Sequence, residues 1–396
     1  MGKLESADPE RHYEEALDLR EREGRLRTLS PFGTGSDKWT LTDPEGETVL
    51  NFCSNDYLGL SGRPELAERS ARYAVDYGTG SASSRLVSGS LCIHHELENR
   101  IAELYDREAA LLFGSGFQAN STLLPALAGR EDLILADKHV HNSILQGGAA
   151  GRARFRRFRH NDPGHLETLL RRFREKNSRS LCLVVTESIF SMDGDRAPID
   201  LLAGLCKRYG ALLMVDEAHA FGLYGDRGLG LAAADSRVDL ILGTFGKSAG
   251  GYGAFLLSSE RIRRYLVNHC PGFIYTTAPP PPSIGAADAA LDLIPDMESE
   301  RRHLAETAER FRNGLQEAGL DPGDSSSQIV PILLNSEESS LEGSRQLYRK
   351  GYYIQAIRPP TVRRSRLRLT LCTWHSREQL DRLMDHLNEL GALYDS

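Results

Sequence analysis

A lysine set among glycines at the end of an apolar run is placed for covalent chemistry. Lys247 stands in such a run, Leu240-Ile241-Leu242-Gly243-Thr244-Phe245-Gly246-Lys247-Ser248-Ala249-Gly250. Partial desolvation there disfavours the ammonium form, so the amine deprotonates more easily and can condense with an aldehyde. Upstream, Leu212-Leu213-Met214-Val215 reads as a buried strand that delivers Asp216, Glu217 and His219. A carboxylate at that point can keep a pyridine nitrogen protonated. The two features together point to a pyridoxal 5'-phosphate (PLP) site, with Lys247 as the Schiff-base lysine and Asp216 as the anion at the ring nitrogen.

Such a cofactor also needs a cradle for its phosphate and a clamp for its ring. Phe113-Gly114-Ser115-Gly116-Phe117-Gln118 follows an apolar run and opens a helical pattern, so backbone N–H groups at the helix start are available to a phosphate. Taken alone, this is also what a tight strand-to-helix turn looks like. His141 follows the run Leu133–Ala136 and is placed to stack on a pyridine ring; a lone histidine there is otherwise simply hydrogen-bonded. Ser191 and His219 are candidates for the ring hydroxyl oxygen. Asp216 and Glu217 also read as a metal or structural carboxylate pair, but no H-E-x-x-H or cysteine cluster accompanies them, and no metal is expected. Gly246-Lys247-Ser248 resembles the tail of a nucleotide P-loop, which would require glycine where Ile241 stands, and an ATPase is set aside.

The elements that must position these residues follow from the hydrophobic pattern. Between about residues 60 and 285, helical segments alternate with the short runs Ala110–Phe113, Leu133–Ala136, Leu181–Thr186, Leu212–Val215, Leu240–Gly243 and Ala254–Leu257. That alternation predicts an α/β fold, a mostly parallel sheet flanked by helices, with ligands beyond the carboxyl ends of the strands. Before it, a short amphipathic helix runs from Pro9 to about Glu23 with Asp8 as its cap, and a hairpin from Trp39 to Phe52 turns at Asp43-Pro44-Glu45-Gly46. After the prolines 279–282, a long helical pattern covers about 284–318. Strands at Ile329–Leu334, Tyr352–Gln355 and Leu367–Leu371 and a helix from about Ser376 to Leu390 complete a smaller α+β C-terminal domain. The expected division is 1–49 for the arm and hairpin, 50–284 for a large PLP-binding domain and 285–396 for the small domain.

Composition sets the remaining limits. With 396 residues, 40% hydrophobic and 26% charged, the chain is long enough for a sizeable core. A net charge of −7 gives no global attraction to nucleic acid or an anionic membrane, and neither is expected as a partner. Local exceptions would be the arginine runs at 152–160 and 358–368. The six cysteines form no C-x-x-C pair, and neither a secretory leader nor a bilayer-length apolar stretch is visible, so a cytoplasmic protein is expected.

Several motifs in order resemble the α-oxoamine synthase family, PLP enzymes of fold type I. They are Asn51-Phe52-Cys53-Ser54-Asn55-Asp56-Tyr57-Leu58-Gly59-Leu60, Gly78-Thr79-Gly80-Ser81 with Ser88-Gly89 and His94, and Phe190-Ser191-Met192-Asp193-Gly194-Asp195. Asp216-Glu217-Ala218-His219, Thr244-Phe245-Gly246-Lys247 and Ala356-Ile357-Arg358-Pro359-Pro360-Thr361-Val362 continue the series. Arg159-His160-Asn161-Asp162 and Ile357–Thr361 look like the branch that condenses L-alanine with a pimeloyl thioester of coenzyme A or of an acyl carrier protein. The glycine-using branches and serine palmitoyltransferases are alternatives, as is a non-catalytic subunit of a heteromeric synthase, which would be expected to lack Lys247.

The resemblance implies roles residue by residue. Gly116, Phe117 and Thr244 would contact the phosphate region; Ser191, Asp216 and His219 would meet the ring's polar atoms; His141 would stack on the ring. Arg27, Asn55, Thr361 and Arg368 would line the substrate side, with Arg368 on the amino-acid carboxylate, which a guanidinium holds by two parallel bonds. It also implies a homodimer in which Thr276 and Thr277 reach the partner's phosphate. The chain departs from the family in one place: only Val362-Arg363-Arg364-Ser365 separates Thr361 from the Arg-Leu-Arg strand, where the family has a longer loop. The Arg363/Arg364/Arg366 cluster is a candidate docking patch for the phosphate-bearing acyl carrier.

Overall fold

A computed structural model describes residues 9–35, 37 and 39–390, and the chain divides into two units, Met1–Leu50 and Asn51–Ser396. In the first unit, helix α1 (Arg11–Arg22) buries none of its residues. Its N-cap is Glu10; Asp8, the expected cap, lies outside the described residues. Strand β1 (Gly33–Thr34) pairs antiparallel with β2 (Thr40–Thr42), and β2 with β3 (Thr48–Asn51). The expected hairpin turn is closed by the Asp43 carboxylate, which accepts from the Glu47 amide at 2.8 Å.

In the second unit, helices α2 (Pro64–Tyr77) and α3 (Cys92–Leu104) precede a seven-stranded sheet. Its strands are β4 (Ala109–Phe113), β5 (Leu133–Asp137), β6 (Arg154–Phe158), β7 (Cys182–Glu187), β8 (Leu212–Asp216), β9 (Leu240–Thr244) and β10 (Ala254–Ser258), in the order β4-β10-β9-β8-β7-β5-β6. Every residue of β4, β5, β7, β9 and β10 is buried. Unbroken apolar strands of this kind need cover on both faces. The connecting helices supply it: α4 (Gly116–Leu127), α5 (Asn142–Ala150), α6 (Pro163–Lys176), α7 (Ile199–Tyr209), α8 (Glu260–His269), α9 (Pro271–Ile274) and α10 (Pro281–Leu293). Leu123, Leu124, Ile144, Leu266 and Phe273 of these helices share one core with Leu111, Ile134, Val185, Met214, Leu242 and Leu256 of the strands. Each such side chain stabilises the fold by about 1.5–3 kcal/mol on burial. Helix α5 can approach α4 only because position 147 is glycine: a Cβ there would lie 2.4 Å from the Asn120 carbonyl oxygen.

Strand direction decides where the polar residues meet. β5, β6, β7, β8 and β9 are parallel neighbours. β10 is antiparallel to both β9 and β4, so β4 runs the same way as β9. The carboxyl ends of β4, β5, β7, β8 and β9 therefore share one edge of the sheet, and Gly116, His141, Ser191, His219 and Lys247 follow those ends. The arginine run from residue 152 falls largely on edge strand β6, whose Arg154, Arg156 and Arg157 are exposed; charges there discourage pairing with another chain.

The C-terminal part begins with α11 (Glu298–Glu317). The helical pattern expected over 284–318 is thus two helices, α10 and α11, separated by a 3-10 turn at Ile294–Asp296. Pro295 lies in that turn, and its missing N–H and ring interrupt the helical ladder. Strand β11 (Ile329–Leu333), helix α12 (Glu337–Arg349), strands β12 (Tyr352–Tyr353), β13 (Gln355–Ile357) and β14 (Arg366–Thr370), and helix α13 (Arg377–Glu389) follow. β11, β14 and β13 form an antiparallel sheet in that order. We propose this sheet and its helices as a small domain; the boundary proposed from sequence at 284/285 falls inside α10.

Candidate active site

β8 ends on Asp216, whose carboxylate accepts from the Ala218 amide at 2.9 Å and from Asn120 Nδ2 at 2.7 Å. The turn after it aims His219 at the end of the neighbouring strand. There Thr244 Oγ1 donates to the Gly253 carbonyl at 2.9 Å and accepts from the Gly246 amide at 3.1 Å, fixing the bend that leads to Lys247. Lys247 Nζ lies 2.7 Å from His219 Nε2. The other ring nitrogen, Nδ1, is 2.7 Å from the hydroxyl of Tyr57, which donates to Asn55 Oδ1 at 2.9 Å. A phenol has one proton, so with that proton on Asn55 the network assigns N–H to His219 Nδ1 and the lone pair facing Lys247 to Nε2. Burial, reinforced by the cations of Lys247 and Arg368, holds the His219 pKa well below the ordinary histidine value. His219 is therefore a neutral acceptor for the lysine.

Burial also pushes the Lys247 amine down to about 8, with Arg368 adding to the effect and Asp216 and Glu187 opposing it. Only the neutral amine attacks an aldehyde. About a tenth of Lys247 is neutral at pH 7, against about three in ten thousand for an unperturbed lysine. The rate of PLP capture by cofactor-free protein should rise about tenfold per pH unit up to about pH 8 and level above it. Stopped-flow absorbance measures this directly, and a rate still climbing at about pH 10 would contradict the assignment. Gly246-Lys247-Ser248-Ala249-Gly250 also spells the G-x-S-x-G pattern of a serine nucleophile. Ser248 is buried, however, and among the described residues its hydroxyl has no hydrogen-bond partner to act as a base.

His141 caps α5: its Nδ1 accepts from the Ser143 amide at 3.2 Å, while the residue itself is exposed at the sheet edge. Its own amide donates to the Glu187 carboxylate. Glu187 ends β7 directly beside Asp216 in register. Burial, with the Asp216 charge adding to it, raises the Glu187 pKa well above the carboxylate range. Sequence reading missed Glu187, Tyr57 and Asn120. An ionisable residue at the carboxyl end of a parallel strand was the available signal for Glu187.

On the opposite flank, Arg368 of β14 donates from Nε to the Ser191 carbonyl at 2.6 Å and leaves its guanidinium near Lys247, His219 and Tyr57. The expected Arg363/Arg364/Arg366 patch does not form. Arg366 is buried and paired with Asp193 at 2.6 Å, and Arg364 pairs with Asp321 at 2.8 Å; of the three, only Arg363 is exposed with no carboxylate paired to it among the described residues. Thr361 is exposed and borders a cleft of about 270 Å³ that also takes in His139, Asp193 and Arg363.

These residues fit PLP. The first turn of α4 offers the Gly116 and Phe117 amides, and a Cβ at Gly116 would sit 3.9 Å from Thr244 Cβ, so the helix start and the end of β9 form one small-residue cradle. Phe117 itself is exposed, which leaves its backbone as the contact. Asp216, His141, Ser191, His219 and Lys247 surround the same edge. Thr276 and Thr277 lie between α9 and α10, with Thr277 bridged to Ser84. Arg27 belongs to the N-terminal unit and is exposed. Among the described residues no group of His, Cys, Asp and Glu is arranged to hold a metal ion.

Residues 47–387 match the family aminotransferase class I and II. The chain is 43% identical to an 8-amino-7-oxononanoate synthase of Gluconacetobacter diazotrophicus over 386 residues, covering 95% of this chain and 96% of that protein. It is 45% identical to one of Geobacter sulfurreducens, covering 88% and 90%. Among solved structures, SPT with PLP superposes with a TM-score of 0.91 at 26% identity, covering 98% of this chain and 99% of that one. A buried lysine on the carboxyl edge of this sheet, among residues that fit PLP, and relatives of this identity along nearly the whole length lead to one conclusion: the chain belongs to the aminotransferase class I and II family, on its 8-amino-7-oxononanoate synthase branch.

Proposed function

We propose that the protein condenses L-alanine with a pimeloyl thioester, releasing CO₂ and the free thiol and forming 8-amino-7-oxononanoate. The observation that carries this reading is the 2.7 Å approach of Lys247 Nζ to His219 Nε2 beside the Asp216 carboxylate, with the Arg368 guanidinium close by. PLP supplies the electron sink that stabilises the carbanion at the amino-acid Cα. Arg368 holds the alanine carboxylate, assisted by Asn55. Lys247, low in pKa and with His219 to accept from its amine, takes the Cα proton and later returns one. With PLP bound, His141 would cover the ring face, Ser191 and His219 would lie toward the ring hydroxyl oxygen, and Asp216 would hold the proton on the ring nitrogen. Thr361 lines the acyl side.

We place Thr276 and Thr277 at the phosphate of a second copy in a homodimer. Exposed apolar side chains at Leu86, Val87, Phe117, Tyr252 and Tyr275 support such an interface. A cytoplasmic location is supported by cysteines that are all free thiols; no helix among the described residues is long and apolar enough to cross a membrane.

The test is thiol release by the PLP-loaded protein with L-alanine and pimeloyl-CoA against glycine and acetyl-CoA. Release with the first pair and formation of 8-amino-7-oxononanoate is expected. Preference for glycine and acetyl-CoA would move the protein to another α-oxoamine synthase branch.

A further inference from the structure

We propose that His160 is a fixed imidazolium that clamps the turn carrying Ser191, and so acts as a positioning residue for the cofactor ring and the amino-acid carboxylate; the positioning role rests on the function proposed above. His160 lies in the loop between β6 and α6, and its two ring nitrogens each meet a carboxylate. Nδ1 is 2.8 Å from Oδ1 of Asp137, the fully buried last residue of β5. Nε2 is 2.7 Å from Oδ2 of Asp195, at the end of the turn after β7. Ionised carboxylate oxygens only accept, so a proton is required on both nitrogens, and a ring with both is a cation.

The surroundings are built for that charge. Asn161 donates its amide to Asp137 Oδ2 at 2.8 Å and its side-chain nitrogen to Asp195 Oδ2 at 2.7 Å. The His139 ring stacks on His160 at 4.0 Å, and Phe190 meets it edge-on at 4.5 Å. His139 in turn lies 3.6 Å from Asp193, whose other partner is Arg366 of β14. Burial of His160 works against its charge; the Asp137 and Asp195 bonds outweigh it and hold the pKa at about 10.

The clamp acts on a turn that has little freedom of its own. The Phe190 amide donates to the Asp195 carbonyl at 3.1 Å, and the Gly194 amide to the Phe190 carbonyl at 2.9 Å. Gly194 has φ +70°, and a Cβ there would lie 2.1 Å from the Ile329 carbonyl oxygen. From β14, Arg366 bonds the Met192 carbonyl at 3.0 Å and Arg368 the Ser191 carbonyl. His160 holds the other flank, so Ser191 and the Arg368 guanidinium take their positions from one turn gripped on both sides by cations.

Ring-nitrogen NMR of the PLP-loaded protein labelled with ¹⁵N-histidine, assigned by difference from His160→Gln, should show His160 doubly protonated from about pH 5 to about pH 9. A ring that titrates between about pH 6 and 7 overturns the proposal. His160→Gln strands two buried carboxylates and should lower the melting temperature, and Asp195→Asn added to it should restore part of the loss. Half-saturation of the PLP spectral response to L-alanine should rise about tenfold in His160→Gln and stay raised in the double variant. Recovery of both quantities together would make the role merely structural, and an unchanged alanine response in folded His160→Gln would equally end the proposal. If the wild type gives no alanine response, the function proposed above fails, while the ring titration still decides the charge.

Discussion

Lys247→Ala should abolish turnover, lowering product formation from L-alanine and a pimeloyl thioester by about 10⁴-fold or more. A positioned base alone contributes about 10²–10⁴-fold, and Lys247 also supplies the covalent hold on the cofactor aldehyde. No neighbour can take over both roles. His219 is the nearest nitrogen, 2.7 Å from Nζ, but it is a buried neutral imidazole whose Nδ1 is already committed to Tyr57. Glu187 has no amine to hold the aldehyde, and burial raises its pKa well above the carboxylate range. The variant should still fold, since removing the amine removes a group whose charged form burial disfavours. Borohydride should fix the cofactor covalently to the wild type and not to the variant. Retained synthase activity in Lys247→Ala, with product identified by mass, would sink the assignment of Lys247.

The parts of the site that were legible in the sequence are those carried by strand ends. Apolar runs without alternation announce strands buried on both faces, and such strands in a parallel sheet must place their following residues along one edge; Asp216, His141 and Lys247 were found for that reason. The residues that orient them were not legible, because their partners are remote in sequence. Tyr57 and His219 are 162 positions apart, and Asn120 meets Asp216 across 96. The arginine cluster shows the reverse failure. Arg366 was read with Arg363 and Arg364 as a surface docking patch, yet it lies two residues from Arg368 on a strand and so shares its face, and the structure buries both. A strict period-two reading would have separated them from Arg363. The break between α10 and α11 was also available in Pro295, which a long helical pattern should not have been allowed to absorb.

Asp216→Asn should keep the shape of the site and lose its chemistry. The carboxylate accepts two hydrogen bonds, from Asn120 Nδ2 and from the Ala218 amide. An amide in its place can accept only one of them, and its NH₂ must then face the other donor. The larger loss is the charge: without a buried anion the ring nitrogen no longer keeps its proton, and the sink for the Cα electrons weakens. Removing one partner of a buried charge pair costs about 3–5 kcal/mol, which corresponds to a fall in kcat of about a thousandfold. The cofactor-free protein should respond with the opposite sign. The Asp216 charge does most to hold the Lys247 pKa up against burial, so in the variant that pKa drops further below about 8, a larger neutral fraction is present at pH 7, and initial aldehyde capture becomes faster. Slower turnover together with faster capture is hard to obtain from misfolding, which would slow both. Turnover within about tenfold of the wild type would show that the ring nitrogen is served by another group, and Glu187, one strand over and in register, would be the residue to replace next.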